Sequence, residues 1–164
     1  MEGAGFDALY ETEFPNVFRT AYLMTGDREE ALDLTHEAFA RAYERWRWVR
    51  GASNPAAWLQ RVVANLAISW HRRRRVRQRF ARRLGPDVLA IEPQVPDSEL
   101  MAALRALTSA QRAVVVLRYF GDQSIDDVAE ALGKRPGTVS ALTSQALARL
   151  RELLRERSQD EARG

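Results

Sequence analysis

The sequence predicts an all-α protein: two small helical domains joined by a flexible linker, the second containing a helix-turn-helix. Three observations carry that expectation. Apolar residues recur at intervals of three and four along most of the chain, the spacing of an amphipathic helix. Cap and turn residues (Asn54-Pro55, Thr108 with Gln111, Gly133) stand at the ends of those stretches, where a helix needs them. Gly85, Pro86, Pro93 and Pro96 fall within twelve residues that lack any period, which reads as linker. The 164 residues suit one ordinary domain or two small ones. The expected division is 1–84, a linker at 85–97, and 98–164.

The first helix is expected from Phe6 to about Thr25, with Phe6, Leu9, Tyr10, Phe14, Val17, Phe18, Ala21 and Tyr22 on one face. Pro15 removes a backbone donor within it, so a kink or break is expected there. Gly26-Asp27 stops this helix and caps the next. The second helix is expected over about Arg28–Trp48, with Leu32, Phe39, Tyr43 and Trp46 as core stripe and Ala31, Ala38 and Ala42 beside it. A loop at Gly51–Asn54 follows. Asn54 then reads as N-cap and Pro55 as the first residue of a third helix, whose apolar face is Trp58, Leu59, Val62, Val63, Leu66 and Trp70. That helix continues into Arg72-Arg73-Arg74-Arg75.

Beyond the linker, Ser98–Leu107 carries Leu100, Ala103, Leu104 and Leu107 at helical spacing. Thr108 and Gln111 form a capping box. The run Ala113–Phe120 is apolar enough for a buried strand, but the cap and the lack of a second strand favour helix. Ser124–Leu132 is a short helix, Gly133–Pro136 a turn, and Gly137 to about Arg157 a long last helix.

Composition excludes several kinds of chemistry. There is no cysteine, so disulfides, thiolate metal sites and a thiol nucleophile are ruled out, in keeping with a cytoplasmic protein. His36 and His71 are the only histidines, too few for a multi-histidine metal site; no metal and no cofactor is expected. No apolar run approaches the roughly 18 residues of a membrane span, and the N-terminus lacks the layout of a signal peptide.

Charge is divided unevenly. Residues 1–40 hold two arginines and nine acids, a charge of −7. Residues 41–84 hold thirteen arginines and one acid, +12. Residues 85–164 hold ten bases and twelve acids, −2, within a net +3. An acidic head beside a basic segment suggests two different partners, one of them polyanionic.

Two motifs give that division a chemical meaning. From Ser124 to Val139, Ala129 is followed by Gly133 four residues on and Val139 six further. A small residue at the helix crossing, a turn glycine and an apolar plug are the needs of a helix-turn-helix, whose second helix enters the major groove; the alternative is a plain helical hairpin. In the third helix, Arg61, Asn65, Ser69 and Arg72 lie on one polar stripe, flanked by Trp58 and Trp70. Cations for phosphates and π-faces for unstacked bases suit single-stranded nucleic acid. The alternative is that both tryptophans are core and the arginines a solvated face. Eight arginines stand between Arg72 and Arg83, which favours phosphate binding.

Taken together, these features resemble the extracytoplasmic-function sigma factors of bacterial RNA polymerase. Asp33-Leu34-Thr35-His36-Glu37-Ala38-Phe39 resembles the family's DxxQExF helix, which docks on the clamp of the polymerase, with His36 in place of Gln. Asn54-Pro55-Ala56-Ala57-Trp58-Leu59 through Asn65-Leu66-Ala67 resembles its promoter-melting helix; Ser69 stands where many members carry an acid, and Ser69-Trp70 is similar to an actinobacterial branch. Leu107-Thr108-Ser109-Ala110-Gln111-Arg112 through Arg151 resembles its upstream-element domain. The resemblance implies a factor that binds core RNA polymerase, directs it to promoters and assists melting, without covalent chemistry. It places Asp33, Leu34, Glu37 and Arg41 on polymerase. Arg61, Asn65, Ser69, Arg72 and Arg73 then face the melted downstream (−10) element, and a loop at Trp48–Asn54 holds a flipped base. Lys134, Arg135, Thr138, Ser140, Thr143, Ser144 and Arg149 face the duplex upstream (−35) element. Val139–Ala146 lacks the Lys and Arg usual in that recognition helix, so upstream reading is expected to be weak or differently directed.

Rival readings are a DNA-binding repressor or activator that never meets polymerase, and a sigma-like interaction protein that sequesters an anti-sigma factor. The acidic head has no use in the first. The uncharged recognition helix supports the second. An enzyme would need a carboxylate pair, and the acids are expected on exposed helical faces. An anti-sigma factor is a possible further partner.

Overall fold

The computed structural model describes residues 2–84 and 99–164, so the predicted linker lies outside the described residues. Among the described residues the chain forms eight helices and no strand. They are α1 Glu2–Thr25, α2 Arg28–Glu44, α3 Trp46–Val49, α4 Pro55–Leu84, α5 Glu99–Arg105, α6 Ser109–Tyr119, α7 Ile125–Leu132 and α8 Pro136–Arg163. The all-α class is as predicted, and Ala113–Phe120 is helical through Tyr119, opened by the capping box of Thr108 and Gln111.

α1, α2 and α4 make the N-terminal half. An aromatic ladder on α1 grips Phe39 of α2: Phe6, Tyr10 and Phe14 have ring centroids 6.4, 4.8 and 6.0 Å from that ring. α1 runs unbroken through Pro15. The carbonyl that Pro15 leaves without its helical donor belongs to Glu11, and both residues are exposed, so that carbonyl is open to solvent while the ladder holds the helix on either side.

α2 differs from expectation in two ways. Its buried face is Ala31, Leu34, Thr35, Ala38, Phe39 and Ala42; Leu32 is only partly covered, and Tyr43 is 64% exposed. Three alanines on this face let α1 approach closely, so the seam follows the small side chains rather than the large ones. Thr35 meets its burial by donating to the carbonyl of Ala31 at 2.6 Å. The predicted single helix to Trp48 is also interrupted at Arg45, which leaves helical geometry at φ −108°, ψ 23°. Trp46 then packs edge-on against Phe6 at 5.6 Å, in space that Gly5 leaves open: a Cβ there would come within 3.1 Å of the indole.

The C-terminal half is built from α5 to α8. Val114, Val116 and Leu117 of α6, Val128 of α7 and Val139 and Ala146 of α8 are fully buried. The buried side chains of the two halves form one continuous cluster. α6 lies against α1 and α4, and α7 against α4.

Candidate nucleic-acid interface

α4 begins as predicted, with Asn54 Oδ1 accepting the Ala57 amide at 3.0 Å. Leu59, Val63, Ala64 and Ala67 are fully buried, and Trp70 is 5% exposed. This inward face fixes the outward one. Asn65, Arg72 and Arg73 are exposed, while Arg61 and Ser69 are half-buried at the edge. Arg72, Arg73, Arg75, Arg77 and Arg79 are exposed along the distal turns, beyond the part of the helix that carries the core. The mutual repulsion of such a run is relieved when phosphates neutralise it.

Of the two tryptophans that flank the stripe, one is enclosed and the other is half-buried. Trp70 is core, with Arg74 over its ring at 5.3 Å, so it offers no open face for a base. Trp58 is half-buried against Trp48 at 6.0 Å between centroids. Trp48 is 62% exposed. With Gly3, Tyr43, Arg45 and Arg47 it borders an open cleft of about 440 Å³, at the start of the segment expected to hold a flipped base.

Arg61 does not point freely into solvent. Its Nη2 donates to Asp127 Oδ1 and its Nη1 lies 3.5 Å from Glu130 Oε2, both on α7. Asp127 is also a cap. Its amide donates to Ser124 Oγ at 3.1 Å, and its Oδ2 accepts the Ser124 amide at 3.3 Å. The Ser124 hydroxyl, and then the Arg61 guanidinium, hold its carboxyl below the usual carboxylate range, so it stays ionised.

The helix-turn-helix forms as predicted. Val128 and Ala129 are buried, Gly133 takes the left-handed conformation at φ 64°, and Val139 plugs the core. Lys134, Arg135, Thr138, Ser140 and Ser144 are exposed in the turn and first turns of α8. Thr143 is half-buried and donates to the Val139 carbonyl at 2.7 Å. Arg149 is paired with Glu152 at 3.2 Å.

On α2, Asp33, Glu37 and Arg41 share an exposed face, with Glu37 and Arg41 paired at 2.9 Å. Leu34 is 7% exposed and turns into the core, so it supports this face from beneath instead of presenting an apolar contact.

Sequence inspection missed Asp127, Glu130 and His71. The Ser124-to-Asp127 spacing signals a cap, but nothing local signals a contact between Asp127 and Arg61, 66 positions apart. His71 Nε2 lies 2.5 Å from the Met24 carbonyl, which also accepts from Arg112 Nη1 at 3.2 Å. Among the described residues, no group of three or more His, Asp or Glu could hold a metal ion, and no helix is long and apolar enough to cross a membrane.

Residues 9–77 match the family model for Sigma-70 region 2, and residues 97–150 that for Sigma-70, region 4. The RNA polymerase sigma-E factor of Streptomyces antibioticus is 35% identical over 158 residues, covering 94% of this chain and 87% of that one. The ECF RNA polymerase sigma factor SigX of Bacillus subtilis is 30% identical, covering 95% and 88%. Among solved structures, the sigma factor RpoE of Bartonella quintana, crystallised with the anti-sigma factor NepR, superposes with a TM-score of 0.73 at 25% identity, over 92% of this chain and 97% of that chain.

Proposed function

The chain belongs to the extracytoplasmic-function group of sigma-70 factors, and on that premise we propose that it binds core RNA polymerase in the cytoplasm, directs it to promoters and assists strand opening, without covalent chemistry. The observation that carries this reading is the order and pairing of the two matched regions: a region 2 whose long helix bears a polar, arginine-rich edge, and a region 4 folded as a helix-turn-helix. The domain division follows the same line, residues 1–84 for polymerase and the downstream element and 98–164 for the upstream element.

Asp33, Glu37 and Arg41 are the polymerase-facing residues. Carboxylates exposed on a rigid helix complement basic side chains on a partner. Asn65, Ser69, Arg72 and Arg73, with Arg61 once it is released, meet the opened downstream strand, and Trp48 supplies a ring for an unstacked base. Lys134, Arg135, Thr138, Ser140 and Ser144 meet the upstream duplex from the start of the recognition helix. Thr143 and Arg149 contribute less, their polar groups being bonded within the helix. An anti-sigma factor is a further partner, supported by the structural relative crystallised with one.

Run-off transcription with core polymerase on promoter fragments, with and without the protein, tests the reading. Promoter-dependent transcripts that require the protein are expected. Polymerase binding without any transcript favours the interaction-protein reading, for which the uncharged start of the recognition helix is the supporting observation.

A further inference from the structure

The contact between the halves places opposite charges where a nucleic-acid strand is expected. Arg61 stands at the head of the stripe that runs through Asn65, Ser69 and Arg72. Its guanidinium is engaged by Asp127 and Glu130, three residues apart and so on one face of α7. Two carboxylates held side by side offer a cation what two neighbouring phosphates would offer it. The surrounding contacts hold α7 and α6 in place. Gln60, one residue before Arg61, is buried and accepts from Thr20 at 2.7 Å. It abuts Gly121, where a Cβ would come within 3.3 Å of its Oε1. Arg19 of α1 lies over the Phe120 ring at 5.7 Å, and Arg112 and Arg105 reach the Met24 and Gly26 carbonyls.

We infer that the acidic edge of α7, Asp127 with Glu130, is an intrachain ligand of the promoter-strand stripe, so that the closed chain masks its own Arg61 and a single strand must displace α7 to bind there. The inference rests on the assignment of that stripe to the melted strand. Asp127 is fixed by its cap. Glu130 is 72% exposed at its side chain and has no part in the cap, so it can be changed without opening α7 itself.

The test uses the full chain, free of polymerase, and compares Glu130→Arg with Glu156→Arg, an equal change of charge on exposed α8. The probe is a fluorescent oligothymidylate of about twelve nucleotides, read by anisotropy over a salt series, with small-angle scattering for the radius of gyration. Glu130→Arg is expected to bind the strand about two- to fivefold more tightly than Glu156→Arg, the range a half-exposed ion pair supports, and to expand the chain. Arg61→Glu, which sets a third carboxylate beside Asp127 and Glu130, is expected to expand the chain as well. The milder Glu130→Gln is expected to shift both readouts in the same direction by less, and it serves as the decisive comparison if circular dichroism shows the arginine variant misfolded. Equal affinity and equal radius for the Glu130 variant and the Glu156 control overturn the inference. Run-off transcription on the unaltered protein separates the two claims: loss of the masking effect with transcription intact removes only the intrachain ligand, whereas absence of transcription removes the sigma-factor reading.

Discussion

Met24, in the last turn of α1, has a carbonyl that two cation-forming side chains approach, and this residue-scale detail sets a pH response. For His71 to donate through Nε2 at 2.5 Å, its neutral ring must carry the proton on that nitrogen. Burial lowers its pKa below the ordinary histidine value; the bond to Met24 opposes this, and Arg112 from α6 with Arg74 and Arg75 from its own helix lower it further. Arg105 of α5 adds to the positive field around Arg112. The unfolded chain therefore takes up a proton, as pH falls through about 6.5, that the folded chain refuses. The stabilisation is complete above that value and is lost as the pH drops through and below it. The thermal midpoint is expected to fall between about pH 7.5 and about pH 5.5, and His71→Gln to flatten that part of the profile. An unchanged slope in His71→Gln would remove His71 as the source. At the same scale, Asp33→Arg with Glu37→Arg is expected to weaken core-polymerase binding at least tenfold, the loss of about 1.4 kcal/mol or more, with circular dichroism unchanged because both positions lie off the buried face of α2. Unaltered affinity would return these acids to an ordinary solvated face.

Among the elements, α7 and the turn after it depend on local chemistry that can be tested by two glycines. Gly133 sits at φ 64° with open space where a Cβ would stand, so Gly133→Ala costs backbone conformation alone, about 1–2 kcal/mol. Gly137, in the first turn of α8, is equally uncrowded and outside the left-handed region. There alanine reduces the freedom of the unfolded chain and is expected to stabilise by about 0.4–1 kcal/mol. At about 2–4 °C per kcal/mol for a chain of this size, thermal denaturation should move the two variants in opposite directions. A drop in both would mean that the turn is constrained by contacts beyond its φ angle.

The molecule as a whole divides affinity and selectivity between its halves. The distal turns of α4 carry exposed arginines, whereas the exposed positions Thr138, Ser140 and Ser144 of α8 carry none. Phosphate neutralisation dominates both binding strength and its salt dependence. Changing Arg72 through Arg75 to alanine in the holoenzyme should therefore weaken promoter binding across sequences and reduce the salt slope by up to about 4, one unit for each phosphate left without its arginine. Ser140→Ala with Ser144→Ala should relax upstream selectivity while leaving the slope nearly unchanged. A larger loss of slope from the two serines would reverse this division.

Helix type, caps and the helix-turn-helix were legible in the sequence because they are set within one turn or one helical period. Asn54, Thr108 and Gly133 act on neighbours three or four residues away, and Ala129 with Val139 obeys a fixed spacing. The same reasoning misplaced Leu32, Tyr43 and Leu34, since which stripe of a two-sided amphipathic helix is buried depends on how closely the partner helix approaches. It left Trp70 undecided for a related cause: only the packing of α4 shows that the indole is enclosed. Pro15 was over-weighted, because a local rule sees the missing donor and not that the carbonyl is open to solvent. The contacts of Arg61 with Asp127 and Glu130, and of His71 and Arg112 with Met24, were decided by tertiary structure alone. Charge and hydrogen-bonding capacity are properties of the residue, but the partner that satisfies them across 66 or 88 positions exists only once the two halves have packed.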